Sequence, residues 1–191
     1  MSKDRDALKY VTRMEKEKPI VGVSWREAIE FCNRLSEECG YSPAYIVTDD
    51  NVEWLPWVDG WRLLTEAEWE YCAVAGRGGV QKANPMWSSE NSDGLLPNLA
   101  QYPPNPFGLH DMLGLVWEWC WDAFDEKYYE DSPKINPSGP DEFKFSGQNI
   151  NRVKRGGSFK SPARKVSAHR RSHTIYYLKE DYIGIRICRR Y

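Results

Sequence analysis

No apolar run in this chain is long enough to cross a membrane, and the opening Met1-Ser2-Lys3-Asp4-Arg5-Asp6 has no signal-peptide core. The expectation is no membrane span and a cytoplasmic chain, or a surface or exported one if an N-terminal signal was removed. Cysteine chemistry is thin as well. Cys32, Cys39, Cys72, Cys120 and Cys188 form no CxxC and no Cys/His set at metal-ligand spacing. They read as buried thiols in apolar patterns. No cysteine lies between 121 and 187, and His110, His169 and His173 are the only histidines. Repeats and linkers are lacking too. The reading is a polar lead-in, 1–18, and a single domain over 19–191.

Aromatic residues are plentiful: nine Trp and eleven Tyr among 191 residues. Large rings fill the core of a loop-rich fold or line a binding surface. Charge is uneven. Residues 151–191 carry twelve Lys/Arg against two acids, +10, whereas 1–150 carry 14 bases against 26 acids, −12. Two readings stay open: the basic part folds back on the acidic part, or it faces an anionic partner.

Two capping boxes open helices. Ser24-Trp25-Arg26-Glu27 starts one whose apolar face is Trp25, Ala28, Ile29, Cys32, Leu35 and Cys39, closed by Gly40. Thr65-Glu66-Ala67-Glu68 starts another through Trp69, Cys72 and Ala73, ending at Gly76. Residues 44–47 read as a short strand and 49–51 as a turn. Residues 76–106 and 131–150 read as long loops. Trp117, Trp119 and Trp121 alternate, so a strand puts three indoles on one face and Val116, Glu118 and Cys120 on the other. A buried Glu118 needs a partner, either an arginine or a metal ion with Asp111 as a second carboxylate. Residues 152–159 read as a strand entering a Gly-Gly turn, and 183–188 as a last strand.

The stretch from Gly108 to Asp122, GLHDMLGLVWEWCWD, closely resembles a signature of the formylglycine-generating enzyme (sulfatase-modifying factor) family. Residues 19–36, 61–76, 152–159 and 183–187 match other family pieces in order. The resemblance implies an α+β, C-type lectin-like fold with two main helices, short antiparallel strands and long loops. It also implies one structural calcium ion, held by Asp111, the Gly114 and Val116 carbonyls and Glu118. All four are oxygen donors, as a hard cation requires. The family's copper(I) needs two thiolates. The matching positions here are Ser161 and Val166, so no copper is expected. Arg155 and Arg186 are read as structural, paired with acids such as Glu118 or Glu68.

Residues 159–182 show neither helical nor strand periodicity and mix Tyr, His, Arg and Ser, which suits an adaptable binding surface. The segment is similar in place to the diversified region of retroelement variable proteins, non-catalytic relatives of the family. The leading reading is a non-catalytic ligand-binding protein with contacts from Phe159, Lys160, Ser161, Arg164, Lys165, His169, Arg171, His173, Tyr176, Tyr177 and Tyr182. Its partner would be a protein or another macromolecule, with an anionic one matching the charge. The alternative is a metal-dependent oxidoreductase of the sulfatase-modifying-factor family. Nucleic acid ranks last, because the bases form no single helical stripe and no nucleic-acid motif is present.

Overall fold

The computed structural model describes residues 17–49, 51–76, 85–140 and 151–190. Most of the lead-in and parts of the two long loops (77–84 and 141–150) lie outside the described residues. Helix α1, Trp25–Glu38, begins as the capping box requires. The Ser24 hydroxyl accepts from the Glu27 amide, and the Glu27 carboxylate accepts from the Ser24 amide. It buries Trp25, Ala28, Ile29, Cys32 and Leu35 of the predicted apolar face together with Ser36, and the predicted Cys39 is buried at its C-cap. Gly40, at φ +72°, follows its end. Strands β1 (Tyr45–Val47) and β2 (Val52–Trp54) form a hairpin. Strand β3 (Arg62–Leu63) leads into α2, Glu66–Ala73, opened by Thr65 and Glu68 in a second complete capping box.

Strand β4, Trp117–Ala123, is buried at every position. A short helix α3 (Tyr128–Asp131) follows, then β5 (Asn151–Arg155), β6 (Ser172–Ile175), β7 (Ile183–Ile185) and β8 (Ile187–Cys188). The main sheet has the order β6-β5-β4-β7, while β3 and β8 form a separate ribbon. The strands pair antiparallel except β4 with β7, which run parallel with Trp117 opposite Ile183. Gly184 is required there: a Cβ would stand 2.3 Å from the Ile20 carbonyl oxygen.

The strand period has the expected consequence. Trp117, Trp119 and Trp121 share one cluster with Trp25, Ala28 and Ile29 of α1, while Cys120 points to the other face among Trp69 and Val153. Two indole N–H groups are satisfied by backbone. Trp25 Nε1 donates to the Cys120 carbonyl at 2.9 Å and Trp119 Nε1 to the Val23 carbonyl at 3.0 Å. Both bonds tie the α1 region to β4.

The structure corrects two local expectations. Part of 159–182, read as lacking strand structure, forms β6. Its Ser-His-Thr-Ile sequence gives almost no apolar alternation, and backbone pairing with β5 along the sheet edge supplies the order. The predicted last strand, 183–188, divides at Arg186, whose side chain turns to Glu118. β8 then pairs with β3 instead of extending β7.

Because Trp119 fills the centre of the α1–sheet core and donates to Val23, Trp119→Ala should cost about 3–5 kcal/mol in urea denaturation. A loss below about 1 kcal/mol would contradict this packing.

Candidate ligand-binding surface

The C-terminal segment is held from beneath by buried ion pairs. Arg155, at the end of β5, has no exposed side-chain surface. Its Nη1 donates to Glu66 Oε1 at 2.8 Å, and Nη2 donates to Glu70 and to the Ala168 carbonyl. Arg171 donates through Nε and Nη2 to the two oxygens of the same Glu66, each at 2.8 Å, and through Nη1 to the Asp125 carbonyl. The exposed His169 meets Glu70 at 3.1 Å. Lys179 pairs with Glu27. In this way α2 and the α1 cap grip the basic segment, which favours the fold-back reading of the charge asymmetry for these residues.

Sequence reasoning missed Glu66 and Asp122. The Thr65 box offers two acids in one turn. Only Glu68 caps, while Glu66 points into the protein. Asp122 Oδ2 accepts from the Glu66 amide at 2.7 Å, and its Oδ1 has no partner among the described residues. Burial, together with the nearby Glu66 charge, pushes the Asp122 carboxyl up to about 7. The clearest sequence signal of this layer was the opposite charge of the two parts of the chain.

Of the two partners that the sequence left open for Glu118, the arginine is in place. Arg186 Nε and Nη2 donate to its carboxylate, with Nη2 at 2.8 Å from Oε1, and Trp69 Nε1 donates to Oε2 at 2.7 Å. Arg186 Nη2 also donates to the His110 carbonyl, beside Asp111. Asp111, Gly114 and Leu115 all have positive φ, so the chain coils tightly between Asp111 and Glu118. Gly114 has no substitute, since a Cβ would lie 2.0 Å from the Trp87 carbonyl oxygen. Asp111 and the Gly114 and Val116 carbonyls are oxygen donors of the type a hard cation takes, and Asp111 Oδ2 already accepts from the Ala100 amide at 2.7 Å. Glu118 fits less well: three N–H donors take most of its lone pairs, and Arg186 already neutralises its charge.

Beyond β5, Gly156 and Gly157 turn at positive φ into a tight bend. Ser161 Oγ accepts from the Ser158 amide at 3.1 Å, and Val166 is buried against Gly157. The two positions that match the family's thiolates therefore hold a turn-forming hydroxyl and an apolar side chain. The loop before the Trp strand braces this bend. Ser92 Oγ donates to the Phe159 carbonyl at 2.8 Å, the Ser89 amide to the Ser161 carbonyl at 2.9 Å, and Glu90 accepts from the Ala163 amide.

The predicted contact residues divide by exposure. Lys160, Arg164, Lys165, His169, His173 and Tyr177 are exposed; His173 stacks on Phe124 at 4.1 Å. Tyr176 and Tyr182 are half-buried and pack on the core. Two expectations need correction. Phe159 is 2% exposed and packs with Leu115 and Val116, so it supports the surface from below. Arg171 is committed to Glu66 and acts as an anchor.

Comparison with known proteins gives the frame for this geometry. The sequence matches the family described as "Sulfatase-modifying factor enzyme 1-like domain" over residues 2–191. The chain belongs to this family. Among curated sulfatase-modifying-factor relatives, the formylglycine-generating enzyme of Streptomyces coelicolor is 31% identical over 158 residues, 72% of this chain and 48% of that protein. The serine/threonine-protein kinase pkn1 of Chlamydia pneumoniae is 33% identical over 153 residues, 75% of this chain and 19% of that protein. The chain thus spans about half or less of these two relatives. Among solved structures, Treponema denticola variable protein 1 superposes with a TM-score of 0.80 at 30% identity, covering 91% of this chain and 72% of that one. Among the described residues, no helix is long and apolar enough to cross a membrane.

Two substitutions test the buried support. Arg186→Met leaves the Glu118 carboxylate buried with Trp69 alone and should cost about 3–5 kcal/mol; adding Glu118→Gln should recover much of it. A loss unchanged in the double variant would contradict the pairing. Asp122 is protonated to higher pH in the folded state than in the unfolded chain. Its stabilising contribution is therefore full below about pH 4 and lost as pH rises towards about 7. Asp122→Asn should flatten the decline of stability with pH in that window by up to about 1.4 kcal/mol per pH unit. An unchanged slope in denaturation series at several pH values would refute the raised Asp122.

Proposed function

We propose that this chain is a non-catalytic ligand-binding protein on a formylglycine-generating-enzyme-like, C-type lectin-type scaffold. Its ligand surface is the exposed part of 159–182: Lys160, Arg164, Lys165, His169, His173 and Tyr177. The observation that carries this reading is a separation of roles within one segment. Phe159, Val166 and Arg171 point inward and are fixed, while basic and aromatic side chains between them point outward on braced turns. A rigid base under replaceable side chains is what a diversified receptor needs. The likeness to Treponema denticola variable protein 1 supports a retroelement-diversified variable protein within this reading. The partner is a protein or another macromolecule, with negative charge complementing the surface.

The identity to formylglycine-generating enzymes favours a second reading, a metal-dependent oxidoreductase. Ser161 and Val166 weigh against copper in it, because neither supplies a soft thiolate. In the binding reading, one structural calcium sits at Asp111 and the Gly114 and Val116 carbonyls, with Glu118 beside it.

The test uses a five-fold variant in which Lys160, Arg164, Lys165, His173 and Tyr177 become Ser. Each change should alter stability by about 0.5 kcal/mol or less. The variant should melt close to the parent and lose the partner that the parent captures in a pull-down. Metal analysis of the same preparations should find about one calcium and no copper per chain. Melting far below the parent, or stoichiometric copper, would overturn the proposal.

A further inference from the structure

Most cations beneath this surface have an acid. Arg155 and Arg171 have Glu66, Arg186 has Glu118, Lys179 has Glu27 and Lys160 has Asp181. Lys154 does not. It lies in the middle of the main sheet, opposite Trp119 on β4 and Ser172 on β6, and is only 8% exposed. Its Nζ stands 5.4 Å from the centre of the Trp117 ring and 5.6 Å from that of Tyr182. These rings are its contacts; no carboxylate or carbonyl among the described residues accepts a hydrogen bond from it. Glu180 acts on it through space without touching it.

Such an ammonium is held by no oxygen of the described residues. Ring faces attract a cation, but they accept none of its three N–H groups in the way an oxygen does. The Nζ is not among the buried polar atoms left without a partner, so the ammonium reaches solvent between the two rings, and no acid of the described residues closes over it. Arg152, two residues earlier on the same face, shows a cation held by both a ring and a carbonyl. It lies over Trp25 at 3.7 Å and donates to the Trp121 carbonyl at 2.9 Å. The Tyr182 ring that walls Lys154 is shared with Lys160, whose Nζ lies 5.4 Å from its centre on the exposed surface. Lys154 and Lys160, a residue of the proposed ligand surface, therefore share Tyr182 as a neighbour.

We infer that Lys154 is the floor of a carboxylate subsite in that surface, where its ammonium, between Trp117 and Tyr182, receives an acidic side chain of a protein ligand. This rests on the binding-surface reading and specifies the chemistry of its ligand. A carboxylate suits the place better than a phosphate. One compact ammonium matches one negative charge, whereas phosphate is best held by a guanidinium fork, and the inward-facing forks of Arg155, Arg171 and Arg186 are taken by Glu66 and Glu118. Glu180 and Asp181 at the rim also oppose a dianion. The two rings pack against the methylene stem of a glutamate.

A fluorescein-labelled peptide of eight glutamates is the probe, titrated into the full chain at low salt. The parent should bind it. Lys154→Met, which keeps the buried stem, should weaken binding tenfold or more. Arg34→Gln, an equal charge change at an exposed site on α1 outside the surface, should weaken it less than threefold. In the parent, the Lys154 side-chain NMR signal should shift as the peptide is added, a reading that needs no variant to fold. Free glutarate should compete measurably and inorganic phosphate at the same concentration should not. Equal weakening by both substitutions, an unmoved Lys154 signal, or stronger competition by phosphate would overturn the subsite. Unchanged binding in Lys154→Met beside lost binding in the five-fold variant would overturn the subsite while leaving the surface in place. No peptide binding by the parent would overturn the subsite whatever the five-fold variant shows.

Discussion

A guanidinium with no exposed surface survives in a fold only if its charge and hydrogen bonds are answered locally, and Arg155 is answered by Glu66. Much of the lower half of the molecule follows from that pair. Glu66 begins α2, so the pair fixes the helix against β5. Glu66 also holds Arg171, which sets the start of β6 and the path of the chain between 159 and 172. Removing either partner leaves a bare charge, so the pair behaves as a clamp more than as a source of net stability. A second clamp, Arg186 on Glu118, divides the last strand and closes the other end of the sheet.

These clamps explain how a loop-rich segment is displayed. The turn at 158–163 has little core of its own, yet it is braced by Ser92, Ser89 and Glu90 from the loop before the Trp strand. The long irregular region that precedes β4 thus has a mechanical role where it is described. Side chains that point away from the braces are free to vary in chemistry, because the backbone beneath them is set by contacts they do not make.

Elements with a strong period were legible in the sequence. Both capping boxes opened helices where the spacing placed them, and the alternating tryptophans faced one core. β6 was not legible, because its Ser-His-Thr-Ile side chains carry no apolar alternation and its order comes from the neighbouring strand. Exposure within 159–182 was legible for Lys160, Arg164 and Lys165. It was not for Phe159 and Arg171, since only the fold shows that one sits on Leu115 and the other reaches Glu66. Lys154 was hidden among the neighbouring bases of a basic strand. Nothing in the sequence separates a lysine with an acid from one without.

The separation of a fixed inner layer from a replaceable outer one is most directly measured by saturation mutagenesis of 159–182 read out by protease resistance. The account predicts that Lys160, Arg164, Lys165, His173 and Tyr177 accept nearly every residue, while Phe159, Val166 and Arg171 accept few. Uniform sensitivity along the segment would contradict it and would make 159–182 part of the structural core.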